Sequence, residues 1–123
     1  MISKEQISEI NKRIDQLFNF LDITNKKENL DLFEKEMLQN NFWENPKNAE
    51  KTLKSKKELE NWINAFNEIE NNVEELNILI ELGANDNEID TKYKKTIKSL
   101  EDLEFKKMLN SKDDALNGII TIP

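Results

Sequence analysis

Apolar residues recur at alternating intervals of three and four along a long central stretch of the chain, which is typical of one face of an α-helix. The apolar set that we call the seam consists of Leu59, Trp62, Phe66, Ile69, Val73, Leu76 and Ile80. This alternation keeps one stripe turned toward a neighbouring helix for many turns, as in coiled-coil packing. Asn45 suits the cap before this helix, Pro46 its first position and Gly83 its end. The pattern therefore predicts a helix about 55 Å long.

Two shorter helices are predicted before this one. The first begins at Ser3, which forms a capping-box pattern with Gln6. Its apolar face consists of Ile7, Ile10, Ile14, Leu17 and Leu21. Residues 22–25 interrupt the pattern, and a second helix then carries Leu30, Phe33 and Met37. This second helix is expected to end near Asn40–Asn41, because asparagine tolerates turn conformations.

A fourth helix is predicted after a turn at residues 84–87. Its apolar face consists of Ile89, Tyr93, Ile97, Leu100 and Leu103. The short connection predicts that this helix folds back along the third as an antiparallel hairpin. Two glycines and two prolines leave few places for turns in 123 residues. The sequence therefore predicts an all-α fold, an elongated antiparallel helical bundle or coiled-coil hairpin.

The C-terminal residues follow a different pattern. Asn110–Asp114 is polar and is expected to form a loop, whereas residues 117–122 are rich in β-branched side chains and are expected to form a strand. A single strand has no partner to pair with. We therefore expect a helical domain at residues 1–110, followed at residues 111–123 by a linker and the first strand of a further, central domain.

Composition excludes most chemistry. A net charge of −7 argues against independent nucleic-acid binding, and no apolar run approaches the length of a membrane span. There is no histidine and no cysteine, which removes the usual bases, nucleophiles and zinc ligands. We predict no catalytic, cofactor-binding or metal-ligating residue, no enzyme activity and no cofactor. The absence of cysteine fits a cytoplasmic location.

Carboxylate pairs are frequent, for example Glu58 with Glu60 and Glu74 with Glu75, and are interpreted as solvated surface charge. The Asp86–Asp90 stretch faintly resembles a calcium loop. It lacks the spacing and the glycine of such a loop, so helix capping is the better interpretation.

Two kinds of feature are candidates for partner contacts. Phe42–Trp43 is predicted to pack under the start of the long helix near Ala49 and Leu53, and the alternative is an exposed aromatic anchor. The basic clusters Lys26–Lys27 and Lys54–Lys57 are predicted to be solvated or paired with carboxylates four residues away. A second interpretation is that one of them touches RNA or an acidic partner.

Several segments together resemble the N-terminal domain of the bacterial peptide chain release factor 2 family. They are Leu21–Ile23, Lys26–Lys27, Leu30 and Glu34 to Met37, Phe42–Trp43 with Asn45–Pro46, Ala49 and Lys51, Leu100–Glu104, and Met108–Leu109. The final segment, Asp114 to Ile122, is similar to the strand by which that family enters its central domain. The resemblance covers essentially the whole chain.

The resemblance implies that the parent protein acts in translation termination at UGA and UAA codons. The family's Gly-Gly-Gln loop and codon-reading tripeptide are absent from these 123 residues. The chain is therefore expected to be a monomeric module that contacts the base of the ribosomal stalk, without codon reading or hydrolysis. The alternative is a free-standing coiled-coil adaptor whose partner buries the seam.

Overall fold

The computed structural model describes the backbone of residues 2–121 and the side chains of residues 2–110. Its elements are α1 (Lys4–Leu21), α2 (Ile23–Met37), a 3₁₀ helix (Asn40–Glu44), α3 (Pro46–Glu81) and α4 (Asp86–Thr121). No strand occurs in this part of the chain, and the predicted all-α class is confirmed. Within residues 2–121, none of the helices has the length and hydropathy that a bilayer crossing requires.

The ends of the helices follow the local chemistry that the sequence indicates. The Ser3 hydroxyl accepts from the Gln6 N–H at 3.2 Å, and the Gln6 side chain accepts from the Ser3 N–H at 2.8 Å. At the start of α3, the Asn45 side chain accepts from the Asn48 N–H at 3.2 Å. Gly83 follows α3 in the left-handed region, with φ at 69°. The predicted capping box, the Asn45 cap and the glycine stop are confirmed.

Replacing Gly83 by alanine is expected to lower the free energy of unfolding by about 1–2 kcal/mol, the cost of a Cβ in the left-handed conformation. No heavy atom lies within 4 Å of the position that this Cβ would take, so the cost is backbone strain and not a clash. Urea unfolding followed by circular dichroism measures it. Gly83→Asn is the control, because asparagine tolerates this conformation better, and equal losses in the two variants would contradict this explanation.

The joint between α1 and α2 is a single residue. Asp22 has a φ of 51°, and α2 begins at Ile23, so the predicted interruption at residues 22–25 is shorter than expected. Leu21 and Ile23, on either side of the joint, are both buried. Aspartate is one of the few non-glycine residues that visits the left-handed region, which lets the chain turn while both apolar neighbours stay in the core.

Two buried clusters fill the space between α1 and the α3–α4 hairpin. The Phe66 cluster consists of Leu17, Leu21, Ile23, Phe66, Ile69, Leu100 and Leu103. The Leu76 cluster consists of Ile10, Val73 and Leu76, with Ile7, Ile14, Ile89, Tyr93 and Ile97 packed half-buried around it. Residue numbers rise along α3 from the first cluster to the second and fall along α4. The two helices are therefore antiparallel.

Polar side chains fix the register of α3 against α4. The buried Asn72 donates to the Ser99 hydroxyl at 3.2 Å and accepts from the Lys92 ammonium at 3.1 Å. The same ammonium donates to the Glu75 carboxylate, and this hydrogen bond lowers the pKa of Glu75 below its ordinary value. Thr96 is fully buried and donates to the Lys92 carbonyl at 2.8 Å. The buried side chains of Asn72 and Thr96 therefore both have hydrogen-bond partners, as a stable interior requires.

The seam is buried only along its middle. Phe66, Ile69, Val73 and Leu76 are buried, Leu59 and Trp62 are half-buried, and Ile80 is 40% exposed. A straight helix drifts by about 20° for each seven-residue repeat. The three repeats from Leu59 to Ile80 therefore rotate Ile80 away from the line of contact.

The loop and strand predicted at the C-terminal end are not found. Residues 110–121 continue α4 without interruption, and residue 122 lies outside the described residues. A strand needs a partner to satisfy its backbone N–H and C=O groups, whereas a helix closes these bonds within its own segment. No strand in the described part of the chain offers such pairing. The β-branched residues therefore do not decide the local structure.

Candidate functional site

An open apolar groove lies beside the first three turns of α3. This feature, which we call the Trp43 groove, is lined by Trp43, Pro46, Ala49, Glu50, Leu53, Lys54 and Lys57. The α3 positions recur at intervals of three and four, which places them on one face of the helix. The 3₁₀ helix before Pro46 brings the indole ring to the edge of this face.

The prediction that Phe42 and Trp43 both pack under α3 is half wrong. Phe42 is buried, but Trp43 is 55% exposed. Successive side chains of a 3₁₀ helix point about 120° apart, so only one of the two can face inward. The outcome for Trp43 agrees with the alternative interpretation, an exposed aromatic side chain.

The exposed indole is held in place on two sides. Its Nε1 donates to the Met37 carbonyl at 3.2 Å. Its ring meets the Phe42 ring edge-on, with centroids 4.8 Å apart and an interplanar angle of 85°. A ring fixed in this way loses little conformational entropy when a partner covers it. Leu53, 40% exposed, extends the apolar surface along the groove.

The predicted basic clusters take different positions. Lys54 and Lys57 line the Trp43 groove, which joins a basic cluster to the aromatic residue. Lys56 instead pairs with Glu60 at 3.1 Å, four residues along the helix, as the sequence predicts for such lysines. Lys26 is not among the lining residues of the groove.

Lys26 lies elsewhere, beside Trp62, with its ammonium 5.9 Å from the ring centroid. Lys106 of α4 lies closer to the same ring, at 4.3 Å. These contacts join α2, α3 and α4 through cation–π attraction. Sequence reasoning missed them, because no periodic signal connects residues so far apart along the chain.

The PCRF domain family matches residues 26–123, which include α3, α4 and the whole Trp43 groove. The chain belongs to the PCRF domain family.

Curated relatives of this PCRF domain carry the name peptide chain release factor 2. The relative from Borreliella burgdorferi is 29% identical over 122 residues, covering 97% of this chain and 34% of the relative. The one from Petrotoga mobilis is 26% identical and covers 98% of this chain and 34% of the relative. The one from Proteus mirabilis is 30% identical, with coverages of 91% and 32%. The predicted resemblance is confirmed, and the chain spans about a third of the length of these relatives.

Some acidic residues of the PCRF domain lie at a helix cap or in an ion pair. Glu75 pairs with Lys92 across the hairpin. In the stretch that faintly resembles a calcium loop, the Glu88 N–H donates to the Asn85 side chain at 2.9 Å, so the interpretation as a helix cap is correct. Among the described side chains, no group of three or more acidic residues could hold a metal ion. The predicted lack of catalytic and metal-binding residues stays a prediction.

The Trp43 groove of the PCRF domain is suited to binding. It offers a fixed aromatic ring, apolar neighbours and two lysines on an open surface. Rigid aromatic residues of this kind contribute much of the affinity at protein interfaces. The groove is therefore a candidate surface for partner contact.

Proposed function

We propose that the chain is the helical N-terminal module of a release factor of the type named peptide chain release factor 2. In this proposal the whole factor acts in translation termination at UGA and UAA codons, in the cytoplasm. The observation that carries the proposal is the PCRF match over residues 26–123, together with relatives of that name that cover 97% and 98% of the chain. Codon reading and peptidyl-tRNA hydrolysis then belong to parts of such a factor outside these residues.

The module's part in this proposal is to contact proteins at the base of the ribosomal stalk, as a monomer and without catalysis. Residues 1–110 form the contacting domain, and residues 111–123 lead into the central domain. The 36-residue lengths of α3 and α4 support a reach along the ribosome, and the coiled-coil spacing of the seam supports a stiff hairpin. The Trp43 groove is the surface that we assign to a ribosomal contact.

The alternative, a free-standing coiled-coil adaptor, requires a partner that buries the seam. Phe66, Ile69 and Leu76 are already at most 1% exposed, covered by α1 and α4 of the same chain. Little of the middle of the seam is left for another protein. A sedimentation experiment that shows a monomer at micromolar concentration would disfavour the adaptor, and a stable assembly would favour it.

The proposal is tested by a chimera. Residues 1–123 replace the matching third of the Borreliella burgdorferi factor, and peptide release is measured on ribosomes programmed with UGA, UAA or UAG. We expect the chimera to release peptide at the codons that the donor's own codon-reading part recognises, and we expect no release from residues 1–123 alone. The control is the Borreliella burgdorferi factor without this third, which shows how much peptide is released when no such module is present.

A folded chimera that releases no better than this truncated donor would contradict the proposal. A Trp43→Ala chimera tests the assigned contact separately. It is expected to bind ribosomes more weakly and to retain its codon preference, because the groove is not assigned a role in codon reading. An unchanged affinity would remove the groove from the proposal while leaving the module's identity intact.

A further inference from the structure

A second open groove lies between α1 and the C-terminal third of α3. Its volume is about 820 Å³, against 540 Å³ for the Trp43 groove. We call it the α1–α3 groove. Along α3 it extends from Glu70 to Glu81, which corresponds to about 16 Å or three helical turns. This is the length over which a short helix can lie between two others.

The floor of the α1–α3 groove is apolar. It contains Ile14 and Val73, which also belong to the packing of the Leu76 cluster. It also contains Ile78 and Ile80, which are 45% and 40% exposed. Ile80 is the seam residue that the drift of α3 carries away from α4. The apolar repeat of the sequence is therefore left uncovered at this end of the hairpin.

The rim of the α1–α3 groove is acidic. Asp15 of α1 and Glu70, Glu74 and Glu81 of α3 line it, and no lysine or arginine does. Among the described side chains, none of these four carboxylates has a cationic partner within 4.0 Å. The charge of the rim is therefore not neutralised within the described part of the chain. The Trp43 groove differs in charge, because two lysines and one glutamate contribute to its lining.

We propose that the α1–α3 groove binds a basic amphipathic helix of a partner protein. Apolar residues of that helix cover Ile78 and Ile80, and its flanking lysines or arginines pair with the acidic rim, as in other helix-in-groove complexes. The sign of the rim excludes nucleic acid and an anionic membrane as occupants. A second copy is disfavoured, because each chain carries a net charge of −7. The inference does not depend on the proposed function.

The probe is a synthetic amphipathic peptide of about 15 residues, long enough for helix formation, with leucines on one face and lysines on the other. Its twin has glutamate in place of each lysine. Binding of the labelled peptides to the full chain is followed by fluorescence anisotropy at low ionic strength, where screening is weak. We expect saturable binding of the lysine peptide and none of the glutamate twin. In the ¹⁵N-labelled chain, the shifted amide signals should belong to Asn11, Ile14 and Asn77, which line the groove.

Matched variants distinguish binding in the α1–α3 groove from attraction by the overall charge of the chain. The double variant Glu70→Gln with Glu74→Gln should lower the affinity for the lysine peptide on the order of fivefold, as expected for charges at an interface. Glu28→Gln with Glu58→Gln removes the same charge at exposed positions outside the groove and should change the affinity by less than about twofold. Ile78→Ser with Ile80→Ser should weaken binding on the order of tenfold through the apolar floor.

The inference is overturned if both glutamine pairs weaken binding equally, since the attraction would then come from overall charge. It is also overturned if the two peptides bind alike, if the shifted signals surround Trp43 instead, or if sedimentation shows a dimer that the Ile78→Ser with Ile80→Ser variant does not form. Urea unfolding verifies that each variant is folded. If the double serine variant unfolds, Ile80→Ser alone serves as the apolar test.

Discussion

Replacing Phe66 by alanine is expected to lower the free energy of unfolding by about 3–5 kcal/mol, the usual cost of a large cavity in a core. Phe66 is 1% exposed, and its ring centroid lies 5.7 Å from that of Phe18. The Phe66 cluster joins α1, α3 and α4, so a movement of one helix cannot close the cavity. A domain of this size has a total stability of about 5–15 kcal/mol. Urea unfolding monitored by circular dichroism measures the loss.

Phe105→Ala is the matched control, because Phe105 lies on α4 but is 56% exposed. Its expected loss is within about 0.5 kcal/mol, as for other surface substitutions. Phe66→Leu keeps most of the buried volume and should lose less than Phe66→Ala, which gives a usable variant if the alanine protein does not fold. A loss under about 1 kcal/mol for Phe66→Ala would show that the ring does not support the core.

Replacing Ile10 by alanine is expected to lower the free energy of unfolding by about 2–5 kcal/mol. Ile10 is 1% exposed and attaches α1 to the Leu76 cluster. Arg13, one turn further along, donates from its Nε to the Glu104 carboxylate at 3.0 Å, and this hydrogen bond raises the pKa of Arg13. Because α1 contacts α3 and α4 along its length, we expect one cooperative transition. Circular dichroism and tryptophan fluorescence should shift together, with the denaturant dependence unchanged.

Leu32→Ala provides the comparison for Ile10→Ala, since Leu32 is 60% exposed on α2 and its loss should be small. A different outcome for Ile10→Ala is a biphasic curve, in which α1 detaches first and the midpoint of the hairpin is unchanged. That curve would mean that α1 is not part of the cooperative unit.

The bounds of α3 could be predicted from the sequence because they depend on local chemistry. Asn45 satisfies a free N–H, Pro46 needs no donor in the first turn, and Gly83 tolerates the left-handed conformation that follows the helix. Each of these three residues lies within about four positions of the helix end that it determines. The buried middle of the seam was predictable for the same reason, as helical periodicity is a local property.

The remaining features depend on what covers each residue. The sequence gives no sign that Trp43 faces solvent while Phe42 is buried, since both are large and aromatic. It also does not show that α4 continues through the β-branched residues 119–121, because strand formation requires a partner elsewhere in the fold. The exposure of Ile80 follows from drift between α3 and α4, which is a property of two helices and not of one pattern.

The candidate site was half predictable. The sequence singled out both Phe42–Trp43 and the lysines from 54 to 57, but it did not join them into one groove. The Trp43 ring and these lysines share one groove because the 3₁₀ helix at Asn40–Glu44 turns the indole toward the face of α3 that carries Lys54 and Lys57. The α1–α3 groove was less predictable still, because its rim combines side chains such as Asp15 and Glu70, which lie more than fifty residues apart in the chain.

The joint at Asp22 restricts how relatives of this chain can vary in length. An added residue there would have to fit between Leu21 and Ile23, which are both buried in the Phe66 cluster, and would displace one of them from the core. An added residue at Gln39 would meet no such restriction, because Leu38 and Gln39 are exposed and lie between two separate helices. Natural insertions and deletions should therefore accumulate before the 3₁₀ helix and be rare between α1 and α2.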